Sequence, residues 1–299
     1  MATTRKVDIA SIRERVKNRA KMMTPQLLKA AEILLSRPED VALLSMRELA
    51  ARCKMQPSTF VRLARALDFN GYPELQHVFA ENLRRTSGDY SPRAEQLQRG
   101  DGEDKKVSLI KGLFANKIRN IEWTFERNNP QLLIDVAELL HKAERAFLVG
   151  QRSSYPVTFF LHYVFQLFSS KSILVQDAGG TFADDLRGIG PQDALFVISM
   201  RPYTRNSVLA AEYAAEHGCP VIAVTDNELS PLCRAAKFTI FADATAPSFF
   251  DSIVAPLTII EALLGLMMIE GGKKALANVK ISEEQLSKFG AYWKDNASK

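Results

Sequence analysis

Ala146-Phe147-Leu148-Val149-Gly150-Gln151-Arg152-Ser153-Ser154 is a short apolar run that breaks at a glycine into a polar loop. A run this short and apolar at every position is the pattern of a strand buried on both faces, as in a parallel sheet. Four more such runs follow, at 173–175, 194–198, 221–224 and 238–241, and stretches of helical periodicity separate them. That alternation predicts βαβ units and an α/β doubly wound domain, with a mainly parallel five-stranded sheet and helices on both faces.

Upstream the pattern changes to helices alone. Thr24-Pro25 reads as an N-cap followed by a first-turn proline, and Leu27, Leu28, Ala31, Leu34 and Leu35 form a stripe of period 3.6 that Pro38 ends. Ser45 with Glu48 three residues on is a capping box, opening a short helix over 46–52 with Leu49 and Ala50 inward. A tight Cys53-Lys54-Met55-Gln56 connection leads to Pro57, which starts a helix reaching about Leu67. Asn70-Gly71 is a turn, and Pro73 starts a further helix ending near Arg85. Residues 86–105, rich in Gly, Ser, Pro and charge, read as a linker, and 107–127 as a connecting helix. The expected division is an all-α bundle over 1–85, a linker and connecting helix over 86–128, the α/β domain over 129–275 and a tail over 276–299.

Two short helices joined by a tight turn over 46–67 have the geometry of a helix-turn-helix. Ala50 is small where the first helix packs on the second, and Met55 and Phe60 supply apolar contacts that fix the crossing angle. Lys54 stands where glycine often forms the turn. The second helix opens with Ser58 and Thr59 and carries Arg62 and Arg65, within a turn of one another. Such a helix can enter a major groove with its N-terminal residues toward base edges and its arginines toward phosphates or guanine. The candidate DNA-binding residues are therefore Lys54, Gln56, Ser58, Thr59, Arg62 and Arg65. An ordinary three-helix bundle with a basic surface gives the same periodicity; the capping box, the small alanine and the Ser/Thr opening favour DNA.

Charge points the same way. Of 299 residues with a net charge of +5, residues 1–90 carry 16 Lys and Arg against 10 Asp and Glu, and the remainder 23 against 24. A basic head joined to a near-neutral body suits a polyanion at one end and a different task at the other. Apolar content of 46% and charged content of 24% are those of globular domains and exclude fibrous or largely disordered chains. Three scattered cysteines form no disulfide framework and no paired metal motif, and the basic N-terminus has no apolar core of a secretory signal, so a cytoplasmic protein is expected. The longest apolar run, 252–269, contains Pro256 and Glu261, and a carboxylate at a bilayer centre costs about 2.5–3.5 kcal/mol. It reads as a buried helix, with core or dimer packing as its use, and not as a membrane span.

In doubly wound sheets, ligands bind beyond the carboxyl ends of the strands. Three polar loops stand there: Gly150 to Ser154, Ala178 to Thr181, and Ser199 to Arg205. Arg152, Ser153, Ser154, Thr181, Ser199, Arg201, Thr204 and Arg205 are the candidate ligand contacts, because hydroxyls and arginine forks together suit a phosphorylated or carboxylated polyol. Taken singly, each loop could merely cap its helix; three at successive strand ends favour a pocket. No GxGxxG, GxxxxGK[ST] or GxSxG motif occurs, and His77, His141, His162 and His217 lack metal spacing, so no cofactor, metal or catalytic residue is expected.

From these residues the whole chain, over about 20–272, resembles the RpiR-type bacterial transcriptional regulators, an N-terminal helix-turn-helix followed by a sugar isomerase (SIS) domain. The first part matches in Leu49-Ala50, in Ser58-Thr59-Phe60-Val61-Arg62-Leu63 and in Leu67-Asp68-Phe69-Asn70-Gly71-Tyr72. The second matches from Phe147 to Gly150, from Phe196 to Ser199, in Tyr203-Thr204-Arg205, from Val221 to Asp226 and from Leu229 to Leu232. The resemblance implies a phosphosugar effector that is bound and not isomerised, with Ser153 or Ser154, Ser199 and Thr204 at its phosphate or hydroxyls. The common SIS loop runs roughly Ser-x-Ser-Gly-x-Thr-x-Glu; Arg201 and Pro202 replace its second Ser and Gly, and Asn206 its Glu. Proline stiffens the loop and removes an amide donor, and Arg152, Arg201 and Arg205 together favour a more anionic ligand, such as a sugar-acid phosphate. The expected partners are a double-stranded DNA operator, a small anionic metabolite and further copies of the chain, as a homodimer or homotetramer, with no membrane. The alternative is an aldose–ketose phosphosugar isomerase carrying a nucleic-acid module, which needs a general base beside the pocket.

Overall fold

Two units make up the computed structural model, Met1–Asp89 and Tyr90–Lys299, and the described residues are 9–86, 90–99 and 103–293. The described part of the first unit is helical throughout: α1 (Ile9–Arg19), α2 (Pro25–Ser36), α3 (Pro38–Leu43), α4 (Met46–Arg52), α5 (Pro57–Ala66) and α6 (Tyr72–Thr86). Thr24 caps α2, and the Ser45 capping box closes at 2.8 Å from the Ser45 amide to Glu48 Oε2 and 3.3 Å from the Glu48 amide to Ser45 Oγ. Pro38 does more than stop α2. It opens α3, since a proline at the first helical position gives up only an N–H that has no partner there. Leu34, Leu49, Phe60, Leu63, Leu75 and Phe79 meet in one buried core.

The end of α5 is fastened by α1. Asp68 follows the helix with a left-handed φ of 63°, and the Phe69 amide donates back to Ala64 O at 3.0 Å, the bond of a Schellman turn. Arg15 Nη1 donates to Leu67 O and Arg19 Nη1 to Ala66 O, each at 2.6 Å, while the Arg19 fork grips Asp68 at 3.0 and 2.6 Å. Cations at a helix C-terminus satisfy its last carbonyls and oppose its dipole.

The second unit runs α7 (Tyr90–Gln98), α8 (Glu103–Arg127), α9 (Pro130–Lys142), β1 (Ala146–Gly150), α10 (Tyr155–Phe168), β2 (Ser172–Leu174), α11 (Phe182–Asp185), β3 (Ala194–Ile198), α12 (Arg205–Glu216), β4 (Val221–Thr225), β5 (Phe238–Phe241) and α13 (Val254–Lys288). Its five strands are all parallel, in the order β2-β1-β3-β4-β5. Side chains alternate as a strand requires. Leu148, Phe196, Ile222 and Ile240 enter the core shared with α9, α10 and α13, whereas Phe147, Leu195, Val197 and Ala223 enter the core beneath α12.

Two boundaries differ from the expectation. Part of the supposed linker, 90–98, is α7, because Pro92 falls in a first turn, where its missing N–H costs nothing. Arg93 binds it within its unit, to Asp251 Oδ1 at 2.8 Å and Ser248 O at 3.0 Å, and Tyr90 stacks on Phe250 with ring centres 4.8 Å apart. Residues 87–89 and 100–102 of that stretch lie outside the described residues. Nor does the chain become a tail at 276: α13 bends at Gly272, which takes φ 48° and ψ −135°, and then continues. Asn278 Nδ2 donates to Phe168 O and Ser282 Oγ to Leu167 O, both at 2.9 Å, which ties its second half to α10; 294–299 lie outside the described residues. By length and composition α13 could cross a membrane, but its Ile259, Ile260, Leu263 and Met267 belong to the sheet's core.

β5 is a sheet edge, and an uncovered edge is a template for unwanted pairing. A polar ladder on α8 and the residue that follows it covers the edge. Asn116, Asn120, Thr124 and Asn128 recur every four residues and are all buried. Asn128 acts as a strand would, with Oδ1 accepting from Phe241 N at 2.9 Å and Nδ2 donating to Phe241 O at 2.7 Å. Thr124 Oγ1 accepts from Asp243 N at 3.1 Å, and Asn120 Nδ2 donates to Asp243 O and Thr245 O at 3.1 and 2.8 Å. Removing Asn128 leaves buried main-chain groups unpaired, at about 1–3 kcal/mol each. Asn128→Ala is therefore expected to destabilise the second unit by about 2–4 kcal/mol and to speed amide hydrogen exchange across 238–245. Unchanged exchange there would show that Asn128 does not hold the β5 edge.

Candidate functional site

In the first unit the turn after α4 is a second Schellman motif. Lys54 takes the left-handed conformation at φ 52°, its amide donates to Ala51 O at 3.1 Å, and the Met55 amide donates to Ala50 O at 2.8 Å. Lysine thus occupies the glycine-like position directly. Phe60, Leu63 and Ala64 turn α5's other side into the core. Ser58, Arg62 and Arg65, at spacings of four and three, lie exposed together, with Lys54 and Gln56 exposed at the turn before them. Thr59 departs from the expectation: it is buried, one of the α5 residues that turn inward with Phe60, Leu63 and Ala64. It supports the helix and does not face outward.

In the second unit, β1 leads toward β2 on one side and β3 toward β4 on the other, so the order reverses between β1 and β3. A crevice opens at such a switch point. Gly150 pairs in register with Ile198, which makes Gln151 and Ser199 the first residues beyond the paired ends. Gly150 must be glycine, since an added Cβ would stand 2.6 Å from the Thr158 side chain and 2.9 Å from Ser154 O. Beyond it, Arg152 holds φ 53° in the short turn Arg152–Ser154 that leads into α10.

The loop after β3 is built around Ser199, which is 2% exposed. Its Oγ accepts from the Thr204 amide at 3.1 Å, its carbonyl accepts from Thr225 Oγ1 at 2.9 Å, and Thr225 Oγ1 in turn meets Ser230 Oγ at 2.8 Å. Thr204 stands at the N-cap of α12 but spends its hydroxyl on Ser207 Oγ at 2.7 Å, so no side chain caps the helix. Uncapped amides and the positive end of a 12-residue helix suit an anion.

The site residues are not equivalent. Ser199 and Thr204 meet, whereas Ser154 is buried and Ser153, Arg152 and Arg205 are exposed at their loops. Thr181 is exposed and donates to its own loop, to Ala178 O at 2.8 Å. Arg201 does not stand free for a ligand as expected. Its Nε lies 3.5 Å from Asp226 Oδ2, so a carboxylate already offsets its charge. Tyr203 donates to Asp226 Oδ1 at 2.7 Å and accepts from Asn227 Nδ2 at 3.0 Å, locking the loop after β3 to the loop after β4. Burial, then the Asp226 charge and hydrogen bond, push the Tyr203 hydroxyl above its usual range and keep it a donor. Sequence reasoning missed Tyr203, Asp226 and Asn227 as site residues; an aspartate directly after an apolar strand was the available signal. Among the described residues no cluster of His, Cys, Asp or Glu is placed to hold a metal, and His162 Nδ1 lies 3.0 Å from Ser172 Oγ.

Two family models match: the helix-turn-helix domain of the rpiR family over residues 10–86 and the SIS domain over 139–266. The chain is 24% identical over 261 residues to the HTH-type transcriptional regulator HexR of Pseudomonas aeruginosa, covering 84% of this chain and 86% of that one. It is similar to the sugar isomerase domain of an RpiR transcription factor from Sphaerobacter thermophilus, at 26% identity and a TM-score of 0.56, over 59% of this chain and 98% of that one. NanR of Vibrio vulnificus, complexed with ManNAc-6P, shares the fold at 20% identity and a TM-score of 0.54, over 94% of this chain and all of that one (100%).

The contacts at Gly150 yield a direct test. Gly150→Ala is expected to cost about 1–3 kcal/mol, because the obstructing atoms include backbone and cannot simply rotate away. Urea unfolding of the second unit measures it; a variant as stable as the wild type would contradict the close approach described.

Proposed function

The chain is an RpiR-type transcriptional regulator, an rpiR-family helix-turn-helix domain followed by a SIS domain, and on that premise we propose how it binds DNA and what it senses. The DNA face is Ser58, Arg62 and Arg65 of α5, with Lys54 and Gln56 at its entrance. A homodimer would set two such helices about 34–36 Å apart, one DNA turn, on an inverted-repeat operator. A second copy has a surface to meet: Val107, Ile110, Phe114, Ile118 and Phe125 form an exposed apolar stripe on α8. The setting is the cytoplasm, where such an operator lies.

The sensor ligand in this reading is a phosphorylated sugar or sugar acid. The observation that carries it is the uncapped N-terminus of α12 beside Ser199 and Thr204 at the β1/β3 switch point. Its amides take the phosphate, and Arg152 and Arg205 add charge at the rim. Arg201, offset by Asp226, holds the loop in place of supplying a third free cation. NanR, of the same fold, is complexed with ManNAc-6P, which supports this reading. To act as a switch, the ligand must bind the DNA-competent and DNA-incompetent states with different affinity.

Selecting bound fragments from random DNA should yield an inverted repeat. On that sequence, Arg62→Ala should weaken binding by about 1–3 kcal/mol if Arg62 reads a base, measured by gel shift at fixed salt, while Ser58→Thr stays close to wild type. Arg62→Ala binding as tightly as the wild type would contradict the assigned face.

A further inference from the structure

Four buried side-chain atoms among the described residues lack a hydrogen-bond partner: Tyr72 Oη, Asn116 Oδ1, Arg127 Nε and Gln151 Nε2. Asn116 and Arg127 are tied through their other polar atoms, to Asn120 Oδ1 and Glu228 Oε1, and Tyr72 lies in the core of the first unit. Gln151 is different. It does not cap the turn that follows it, and its carboxamide nitrogen is fully buried with both N–H groups unused. Burying an unpaired amide donor costs about 1–3 kcal/mol. A glutamine could escape to water at small cost, so an orphan of this kind needs a reason.

Its position supplies one. Gln151 is the first residue beyond the paired end of β1, next in register to Ser199 beyond β3, at the point where the strand order reverses. Ser199 Oγ accepts from the Thr204 amide, which leaves its own O–H to donate. Two neutral donor-bearing residues thus occupy neighbouring register positions beyond the carboxyl ends of β1 and β3, and neither carries the charge of Arg152 or Arg205. We propose that Gln151 is a specificity-determining residue of the sensor site, donating its carboxamide N–H to a hydroxyl or carbonyl oxygen of the ligand's sugar carbon chain, not to its phosphate. This rests on the phosphosugar reading above and adds the group that reads the sugar. A neutral amide discriminates by hydrogen bonding: a site built for an oxygen rejects an analogue lacking it, because its own donor is then left unpaired.

The test compares the full-length wild type with Gln151→Met, which keeps length and removes the donors, and with Gln151→Glu, which replaces them by a carboxylate. Inorganic phosphate, glucose 6-phosphate, N-acetylmannosamine 6-phosphate and 6-phosphogluconate are titrated by calorimetry, and unfolding temperatures are taken without ligand. Expected for Gln151→Met is an unfolding temperature at or above the wild type, phosphate affinity within twofold, and sugar-phosphate affinity reduced about tenfold or more, the factor carried by one lost hydrogen bond of about 1.4 kcal/mol. Gln151→Glu should lose affinity further through repulsion. Sugar-phosphate affinity unchanged in Gln151→Met overturns the assignment, as does a fall in its ligand-free stability, which would make the carboxamide structural. A wild type that binds none of the four probes overturns the phosphosugar reading and this one with it; binding by the wild type and equally by Gln151→Met overturns this one alone.

Discussion

The parallel pairing of Ala146–Gly150 with Ala194–Ile198 is the constraint from which the second unit follows. Both strands are buried on both faces, so their order cannot be inverted or slipped without exposing apolar side chains. Because the chain leaves β1 and β3 in opposite directions, their carboxyl ends cannot be bridged by helices and a crevice must remain. At the other end of these strands Arg145, just before β1, forks onto Asp193, just before β3, at 2.9 and 2.7 Å. Burial raises the Asp193 carboxyl, yet the Arg145 hydrogen bonds outweigh it and hold the group below its usual range. One end of the pair is pinned by an ion pair, and at the other Gln151 and Ser199 are the first residues beyond the paired ends.

What is not needed for that crevice is used to close the fold. The Asn128 carboxamide stands in for a sixth strand along β5, which lets a helix cover an edge without leaving main-chain groups unpaired. The Arg127 guanidinium, one residue earlier, lies 5.2 Å from the Trp123 ring centre and 4.9 Å from that of Phe241, and reaches Glu228 at 2.6 Å. Glu228 belongs to the loop whose Asp226 holds Arg201 and Tyr203. The end of α8 and the loop after β3 therefore share one segment, residues 225–230. In the first unit the analogous economy is at α5, where arginines from α1 cap the helix and leave its Arg62 and Arg65 outward.

Elements set by local chemistry were legible from the residues alone. The Ser45–Glu48 box, the prolines at 25 and 57 and the five apolar runs each carry their own instruction, and the strands stand within one residue of their expected limits. What escaped depended on partners distant in the chain. Residues 90–98 look like linker until Asp251 and Phe250 are beside them. The period of four in Asn116, Asn120, Thr124 and Asn128 carries no local sign that an edge strand lies against it. Thr59 and Ser58 are alike in chemistry, and only the packing of α5 into the bundle separates them, Thr59 inward and Ser58 exposed. Arg201 looks like an anion receptor until Asp226, 25 positions on, is seen to occupy it.

On the proposed reading, occupation of the β1/β3 crevice changes how tightly α5 holds DNA. The measurement that tests it most directly is the dissociation constant for a selected operator, read by fluorescence anisotropy at fixed salt, with and without a saturating sugar phosphate that calorimetry shows to bind. Coupling between sites of this kind typically amounts to about 1–3 kcal/mol, so a change of roughly 5–150-fold, in either direction, is expected. An operator affinity that stays the same while the ligand is bound would contradict it.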